Sequence, residues 1–315
     1  MLAWYQANAR DLPWRRTTDP YAVLVSEFMC QQTTVAAVIP YFERWMAAFP
    51  TVAVLAAAEE EAVLGRWQGL GYYSRARNLH RAARAVVERH GGEIPGDLAA
   101  LRALPGIGEY TAGAVLAFAF ERPAAVVDAN VARVLARRND IRQAIDSTAG
   151  KAALREAALA LQPAGTGARE LNSALMELGA LVCKPRAPLC GVCPIRGECR
   201  ADAPESLPVK RARAAVTNVT ERRAFFTDGT RIFLAQSAGR WRGMWILPEV
   251  EPGAPPDHVE VYPITRYRVQ MEVVRAAPPA GDRSLRGFPL GELDAVPIPS
   301  PHRRAIRALG APGAG

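Results

Sequence analysis

Residues 104–118 read LPGIGEYTAGAVLAF. A proline and two glycines, Gly106 and Gly108, crowd into the first five positions, and a run of small apolar residues follows. The stretch reads as a tight turn feeding a helix. Glycine lets a backbone come close to a partner, and a helix N-terminus offers unsatisfied N–H groups to an anion. A lone G-x-G turn often does no more than join two helices, so its surroundings decide its meaning.

Those surroundings are helical. Apolar residues recur at helical spacing in VAAVIPYFERWMAAF (35–49), AAAEEEAVLGRW (56–67), SRARNLHRAARAVVERH (74–90) and STAGKAALREAALALQ (147–162). Breakers separate them at Pro50, Gly69–Gly71, Gly91–Gly92, Pro105–Gly108, Pro123 and Pro163–Gly167. Residues 1–200 are therefore expected to form a mostly α domain of short helices. Residues 201–219, ADAPESLPVKRARAAVTNV, are polar, basic and Pro-bearing, and read as a linker. Beyond them the texture changes. RRAFFTDGTRIFLAQSA is two β-rich runs around Asp228–Gly229, a hairpin signal. VEVYPITRYRVQMEVV alternates like strands, and PHRRAIRAL has the pattern of an amphipathic helix. Residues 220–315 are expected to form a small α+β domain.

The chain has 315 residues, half of them hydrophobic, with 39 Lys and Arg against 31 Asp and Glu for a net charge of +8. A basic surface points to an acidic partner such as nucleic acid, although a GC-rich genome, which encodes Arg and Ala freely, produces the same balance. No apolar run is long enough to cross a membrane, and MLAWYQANARDLPWRR lacks a signal-peptide pattern. The expectation is a cytoplasmic, nucleoid-associated monomer with no membrane partner. Thiols stay reduced in that compartment, so clustered cysteines point to metal rather than disulfides.

Four of the five cysteines fall in CKPRAPLCGVCPIRGEC (183–199), spaced Cys183-x6-Cys190-x2-Cys193-x5-Cys199. Thiolates are soft ligands for zinc and for iron–sulfur clusters. Zinc ribbons place two C-x2-C hooks about fifteen residues apart, whereas here one short hook lies between two longer loops. Zinc and unligated core thiols remain alternatives to a cluster. Lys184, Arg186, Arg196 and Arg200 stand among these cysteines, either as a solvated loop or as phosphate contacts. Cys30 lies far off in an apolar segment and reads as a small core residue.

The cysteine spacing resembles the 4Fe–4S loop of the endonuclease III superfamily of DNA glycosylases, and LPGIG-x-x-T-A resembles that superfamily's helix-hairpin-helix. The resemblance implies that Cys183, Cys190, Cys193 and Cys199 hold a 4Fe–4S cluster and that Gly106 and Gly108 hold a DNA phosphate. In bifunctional members a lysine follows the hairpin and attacks the sugar. Tyr110 stands there instead, with Lys151 and Lys184 the nearest lysines, which implies a monofunctional enzyme that uses water. Asp128, in VVDANVARVLAR, reads as an N-cap on its own. The resemblance makes it the catalytic carboxylate that faces the developing oxocarbenium ion, with Asn130 orienting it.

Within the superfamily, SEFMCQQT (26–33) resembles the adenine DNA glycosylases of the MutY type. Glu27 lies in a strongly apolar helix; burial raises a carboxyl pKa and suits it to general-acid work, although a surface glutamate in an amphipathic stripe is the plainer reading. The resemblance assigns it to protonation of N7 of a flipped adenine. ARDLPWR adds Arg10, Trp14 and Arg15 as pocket residues. GLGYYSRARNL adds Tyr72 as a wedge beside the opposite base, with Gln31 and Gln32 filling the gap left by the extruded base. The resemblance spans residues 3–200.

Three features depart from the pattern. Ala129 replaces a usual Gly. Ser173 stands where a Gln or Glu helps hold adenine. The C-terminal region resembles the Nudix-like domain that reads 8-oxoguanine, through WRGMWILPE (241–249), but lacks the pyrophosphate-hydrolase signature. At its reading turn, Ile264-Thr265-Arg266-Tyr267 replaces Phe-Ser-His. The resemblance implies double-stranded DNA with A·8-oxoguanine or A·G mispairs as partner. A thymine–guanine mismatch glycosylase and a non-catalytic iron–sulfur redox sensor on DNA are the competing functions.

Overall fold

The computed structural model describes residues 1–212, 215–279 and 281–310. The chain divides into two compact units, residues 1–57 with 78–212 and residues 58–77 with 213–315. In chain order the helices are α1 (Leu2–Asn8), α2 (Pro20–Cys30), α3 (Val35–Ala48), α4 (Val52–Ala57), α5 (Glu60–Trp67), α6 (Ser74–His90), α7 (Leu98–Ala103), α8 (Glu109–Phe120), α9 (Ala129–Arg138), α10 (Thr148–Leu159) and α11 (Ala168–Leu181).

The first unit is built around α2. Asp19 caps it, accepting from the Tyr21 and Ala22 N–H groups at 3.0 and 3.2 Å, and Pro20 occupies the first turn, where its missing donor is not needed. Every residue from Tyr21 to Met29 is buried. A helix apolar on all sides belongs in the centre of a bundle, and α2 packs on both α3 and α8. α9 packs on α11 around Val131, Leu135, Leu175 and Leu178. The contact is close because Gly179 has no side chain: a Cβ there would stand 2.6 Å from the Asn130 Cβ.

In the second unit, β1 (Thr217–Thr227), β2 (Arg231–Gln236), β3 (Trp245–Ile246), β4 (His258–Ile264), β5 (Tyr267–Ala276) and β6 (Leu285–Pro289) form, among the described residues, one six-stranded sheet. Its order is β3-β2-β1-β5-β4, with β6 on β2; β1 and β5 run parallel and the other pairs antiparallel. The β1–β2 turn forms at Asp228–Gly229, where the Asp228 carboxylate accepts from the Thr230 and Arg231 N–H groups at 2.9 and 2.7 Å. Along β5, Val269, Met271 and Val273 point to the core while Arg268 and Gln270 are exposed, the period of two that a one-sided sheet requires. α12 (Ser300–Gly310) packs against β4 and buries Ile306 with them.

The boundaries differ in two places from those read off the sequence. Residues 201–212 of the expected linker pack into the first unit: Leu207 is buried, and the Val209 carbonyl accepts from Ile145 N–H at 2.9 Å. Residues 213–214 of that linker, Ala280 and residues 311–315 lie outside the described residues. Residues 58–77 group with the C-terminal sheet although they lie far from it in sequence. Basic, Pro-bearing composition masks a few apolar anchors, and local composition carries no record of long-range docking.

Candidate active site

Helices α2, α8, α9 and α11 enclose a cavity of about 410 Å³. Glu27 faces it from the last turn of α2 and is 8 % exposed. Burial pushes its carboxyl up to about 7; the neighbouring Asp128 charge adds to the rise, and a hydrogen bond with Tyr110 opposes it. The C-terminal end of a helix also disfavours a negative charge. Tyr110, in the first turn of α8, lines the same cavity. Burial and the two carboxylates hold its phenol well above the ordinary value, so it keeps its proton.

Asp128 lines the cavity as the N-cap of α9, accepting from Val131 N–H at 2.7 Å and from Asn130 Nδ2 at 3.2 Å. Burial raises its pKa, and those hydrogen bonds together with Arg133 pull the other way. Burial raises both carboxyls, but their hydrogen-bond settings differ. Glu27 is set to carry a proton near neutrality, while helix-end donors favour the charged form of Asp128.

The single helical turn Pro13–Arg15 brings Trp14 and Arg15 to the cavity, and Arg10 reaches it from the preceding loop. Trp14 packs edge-on against Phe42 at 5.4 Å. A residue that sequence reasoning missed holds both arginines. Glu177 on α11 is fully buried; it accepts from Arg10 N at 3.0 Å, Arg10 Nε at 2.7 Å, Arg10 Nη2 at 3.1 Å and Arg15 Nη2 at 2.7 Å. Burial raises its pKa, but the hydrogen bonds from Arg10 and Arg15 outweigh that and leave the carboxyl below its ordinary range. Its helix also carries Arg169, Glu170, Asn172 and Ser173, so no local signal singled Glu177 out.

Gln31 and Gln32 follow α2 at the cavity rim; Gln31 Nε2 lies 3.5 Å from Thr111 Oγ1, and Gln32 takes a left-handed φ of 56°. Cys30 corrects an expectation. It is half-buried and lines the cavity rather than sitting in the core, because α2 ends there.

A polar path leaves the cavity through Asn130. Its Oδ1 accepts from Arg133 Nη2 at 2.9 Å, and Arg133 donates onward to the Gly179 carbonyl at 2.8 Å and the Cys183 carbonyl at 2.7 Å. At that end Cys183, Cys190, Cys193 and Cys199 line a second cavity, of about 540 Å³. Arg137 is 2 % exposed beside it, donating to Cys183 Sγ at 3.3 Å and to the Lys184, Pro185 and Leu207 carbonyls. A buried guanidinium among carbonyls suits a site where thiolates supply the compensating charge. Among the described residues no three acidic, histidine or cysteine side chains converge as they would on a single ion. Four thiols lining one cavity form a donor set of the kind that soft metals take.

The remaining residues of interest lie outside both cavities. Gly106 takes a φ of 75°, and a Cβ there would come within 2.5 Å of Asn78; Gly108 is the N-cap of α8. Tyr72 is 45 % exposed with a φ of 47°. Arg75 lies 5.5 Å from its ring and 5.3 Å from that of Trp67, and donates to the Leu70 and Gly71 carbonyls at 3.0 and 3.2 Å. Thr265 and Arg266 form the exposed two-residue turn between β4 and β5. Thr265 has a φ of 53°, and Arg266 Nη2 lies 3.1 Å from the Tyr267 hydroxyl.

Residues 25–158, which carry Glu27, Tyr110, Asp128 and Asn130, match the HhH-GPD superfamily of base excision DNA repair proteins. An adenine DNA glycosylase of Mycolicibacterium smegmatis is 44% identical over 201 residues, 64% of this chain and 67% of the relative. The chain belongs to the adenine DNA glycosylase family. The human adenine DNA glycosylase is 48% identical over 211 residues, 64% of this chain and 38% of its own length. The chain thus spans about two fifths of the length of the mammalian relatives in this family that it matches. Among solved structures, a thermostable thymine-DNA glycosylase superposes with a TM-score of 0.57 at 31% identity, covering 63% of this chain and 91% of that one. Endonuclease III trapped as a covalent intermediate with DNA gives 0.53 at 25% identity, covering 63% and 90%.

Proposed function

We propose that the chain is a monofunctional adenine DNA glycosylase of base excision repair, acting on adenine opposite 8-oxoguanine or guanine in double-stranded DNA. The observation that carries this reading is that Glu27 and Asp128, about a hundred residues apart, line one cavity, with Glu27 held near half-protonation at neutral pH. The flipped adenine enters between them. Glu27 gives its proton to N7, so the electron pair of the breaking N-glycosidic bond leaves on a neutral base. The sugar becomes an oxocarbenium ion that the Asp128 carboxylate stabilises. Water adds to C1′, and Asp128 takes the released proton. Asn130 fixes the Asp128 carboxylate, and Tyr110, in place of a lysine nucleophile, holds Glu27. Arg10 and Arg15, neutralised in part by Glu177, present N–H donors to the base beside Trp14.

On the DNA, the Gly106–Gly108 turn takes a phosphate on the α8 N-terminus. Tyr72 wedges into the stack while Gln31 and Gln32 fill the space left by the base. Cys183, Cys190, Cys193 and Cys199 hold a 4Fe–4S cluster that braces this side of the DNA cleft. The C-terminal sheet acts as a Nudix-like reader, its Thr265–Arg266 turn meeting the opposite base with a hydroxyl and a guanidinium.

The similarity to a thymine-DNA glycosylase favours thymine opposite guanine as the second reading. Duplexes carrying A·8-oxoguanine, A·G and T·G, treated with alkali after incubation, separate the two. Strand breaks at adenine are the expected result; breaks at thymine alone overturn the assignment.

A further inference from the structure

The cavity that holds Glu27 and Asp128 shares part of its lining with a neighbour. A second, more open cavity of about 550 Å³ adjoins it, and Arg15, Arg169 and Ser173 line both. An arginine is long enough to reach into two separate spaces. A serine is not, having one carbon and one oxygen beyond the backbone. Ser173 is 6 % exposed and lines both cavities, so at this point little more than one small residue stands between the two spaces.

The charged groups around the second cavity already hold hydrogen-bond partners. Arg15 Nη2 is bound to Glu177 at 2.7 Å and its Nη1 to the Arg10 carbonyl at 3.1 Å. Arg169 Nη2 donates to the Arg15 and Thr17 carbonyls at 2.7 and 2.6 Å. Glu121 Oε1 accepts from the Gly167 and Arg169 N–H groups at 2.8 and 3.1 Å, and Glu170 Oε1 accepts from Gln6 Nε2 at 2.7 Å. The Tyr5 ring lies beneath the Arg15 guanidinium, 5.7 Å away. Neutral groups are the class it accepts, since a charged one would have to draw these side chains away from the hydrogen bonds they already make.

We propose that the base cavity continues past Ser173 into this annex, so that the site accepts purines bearing a neutral substituent on the six-membered ring. The proposal rests on the glycosylase reading and deepens it by naming a wider substrate class. With the glycosidic carbon at Asp128 and N7 at Glu27, the six-membered ring is the part of the base left to face the rest of the lining, Ser173 included. A longer side chain at position 173 places extra atoms where the two cavities meet and closes the passage.

The test measures single-turnover release of adenine and of N6-benzyladenine opposite 8-oxoguanine by the full chain and by Ser173→Asn and Ser173→Gln. Each rate ratio is taken within one protein preparation, so partial loss of folded enzyme cancels. The wild type is expected to release both bases at rates within about tenfold of each other. The benzyladenine-to-adenine ratio should fall from Ser to Asn to Gln, by about tenfold or more at Gln. Release of adenine with refusal of benzyladenine by the wild type overturns the annex and leaves the glycosylase reading standing. A ratio that is the same in all three proteins also overturns it. Release of neither base by the wild type removes the glycosylase reading and this proposal together.

Discussion

The base cavity and the cysteine cavity lie in the same helical unit and are of comparable size, about 410 and 540 Å³. They are assembled in opposite ways. The cysteine cavity draws its four sulfurs from residues 183–199, with Arg137 the main contribution from elsewhere. The base cavity takes Arg10 and Arg15 from one segment, Glu27 to Gln32 from a second, and Tyr110, Asp128 with Asn130, and Ser173 from three more. Their chemistry differs to match. A metal ligand set needs one residue type at workable spacing. An acid–base pair needs two environments that treat the same functional group differently, and only packing creates those.

The largest effect expected from breaking the base cavity is that of Asp128→Asn. Asparagine preserves the helix cap but removes the carboxylate that we propose faces the oxocarbenium ion. Single-turnover base release should fall by about 10³-fold or more, with DNA affinity in gel-shift assays retained. Activity that survives would separate Asp128 from the chemistry and leave it as a cap alone.

Glu27→Gln should cost about 10²-fold. In the wild type, the rate should decline as pH rises through about 7, where Glu27 loses its proton; the variant should lack that limb. Stability gives an independent readout. The folded-state pKa is raised from 4.5 to about 7, so between those values the native state holds a proton that the unfolded chain releases. Stability therefore falls as pH rises across that window, by up to about 3 kcal/mol. Denaturant titrations at pH 5 and pH 8 should show this slope in the wild type and its loss in Glu27→Gln.

At the cysteine cavity, Cys199→Ser should bleach the visible absorbance of the purified protein and lower its melting temperature. The base-release rate should change less than in either carboxylate variant, because the proposed chemistry places no step on a bracing cluster. A protein that is colourless and zinc-loaded before mutation would refute the cluster. The smallest effect is expected in the C-terminal sheet. Arg266→Ala should leave release of adenine opposite guanine nearly unchanged and weaken the preference for 8-oxoguanine by about 1–3 kcal/mol, read as the ratio of rates on the two duplexes.

The elements carrying these residues were unevenly legible. The α8 turn, the Asp128 cap and the β1–β2 hairpin each follow from fewer than ten residues, because glycine φ, side-chain capping and turn chemistry are local. Glu177 was invisible because its role depends on Arg10 and Arg15, more than 160 residues earlier. Cys30 was misplaced because an apolar helix gives no sign of where a cavity opens beside it. The grouping of residues 58–77 with the C-terminal sheet left no trace in local composition.

By itself the sequence determined the helical character of the first unit, the change to strands near residue 220, the gathering of four thiols and the placement of a tyrosine where a nucleophilic lysine would stand. These depend on spacing, propensity and side-chain type, which are properties of neighbours along the chain. Tertiary structure alone decided that Glu27 and Asp128 share a cavity, that burial lifts the Glu27 carboxyl to about 7, that Glu177 holds two arginines, and that Ser173 stands between two spaces. Desolvation and charge pairing act through distance in space, and no local pattern of residues carries that distance.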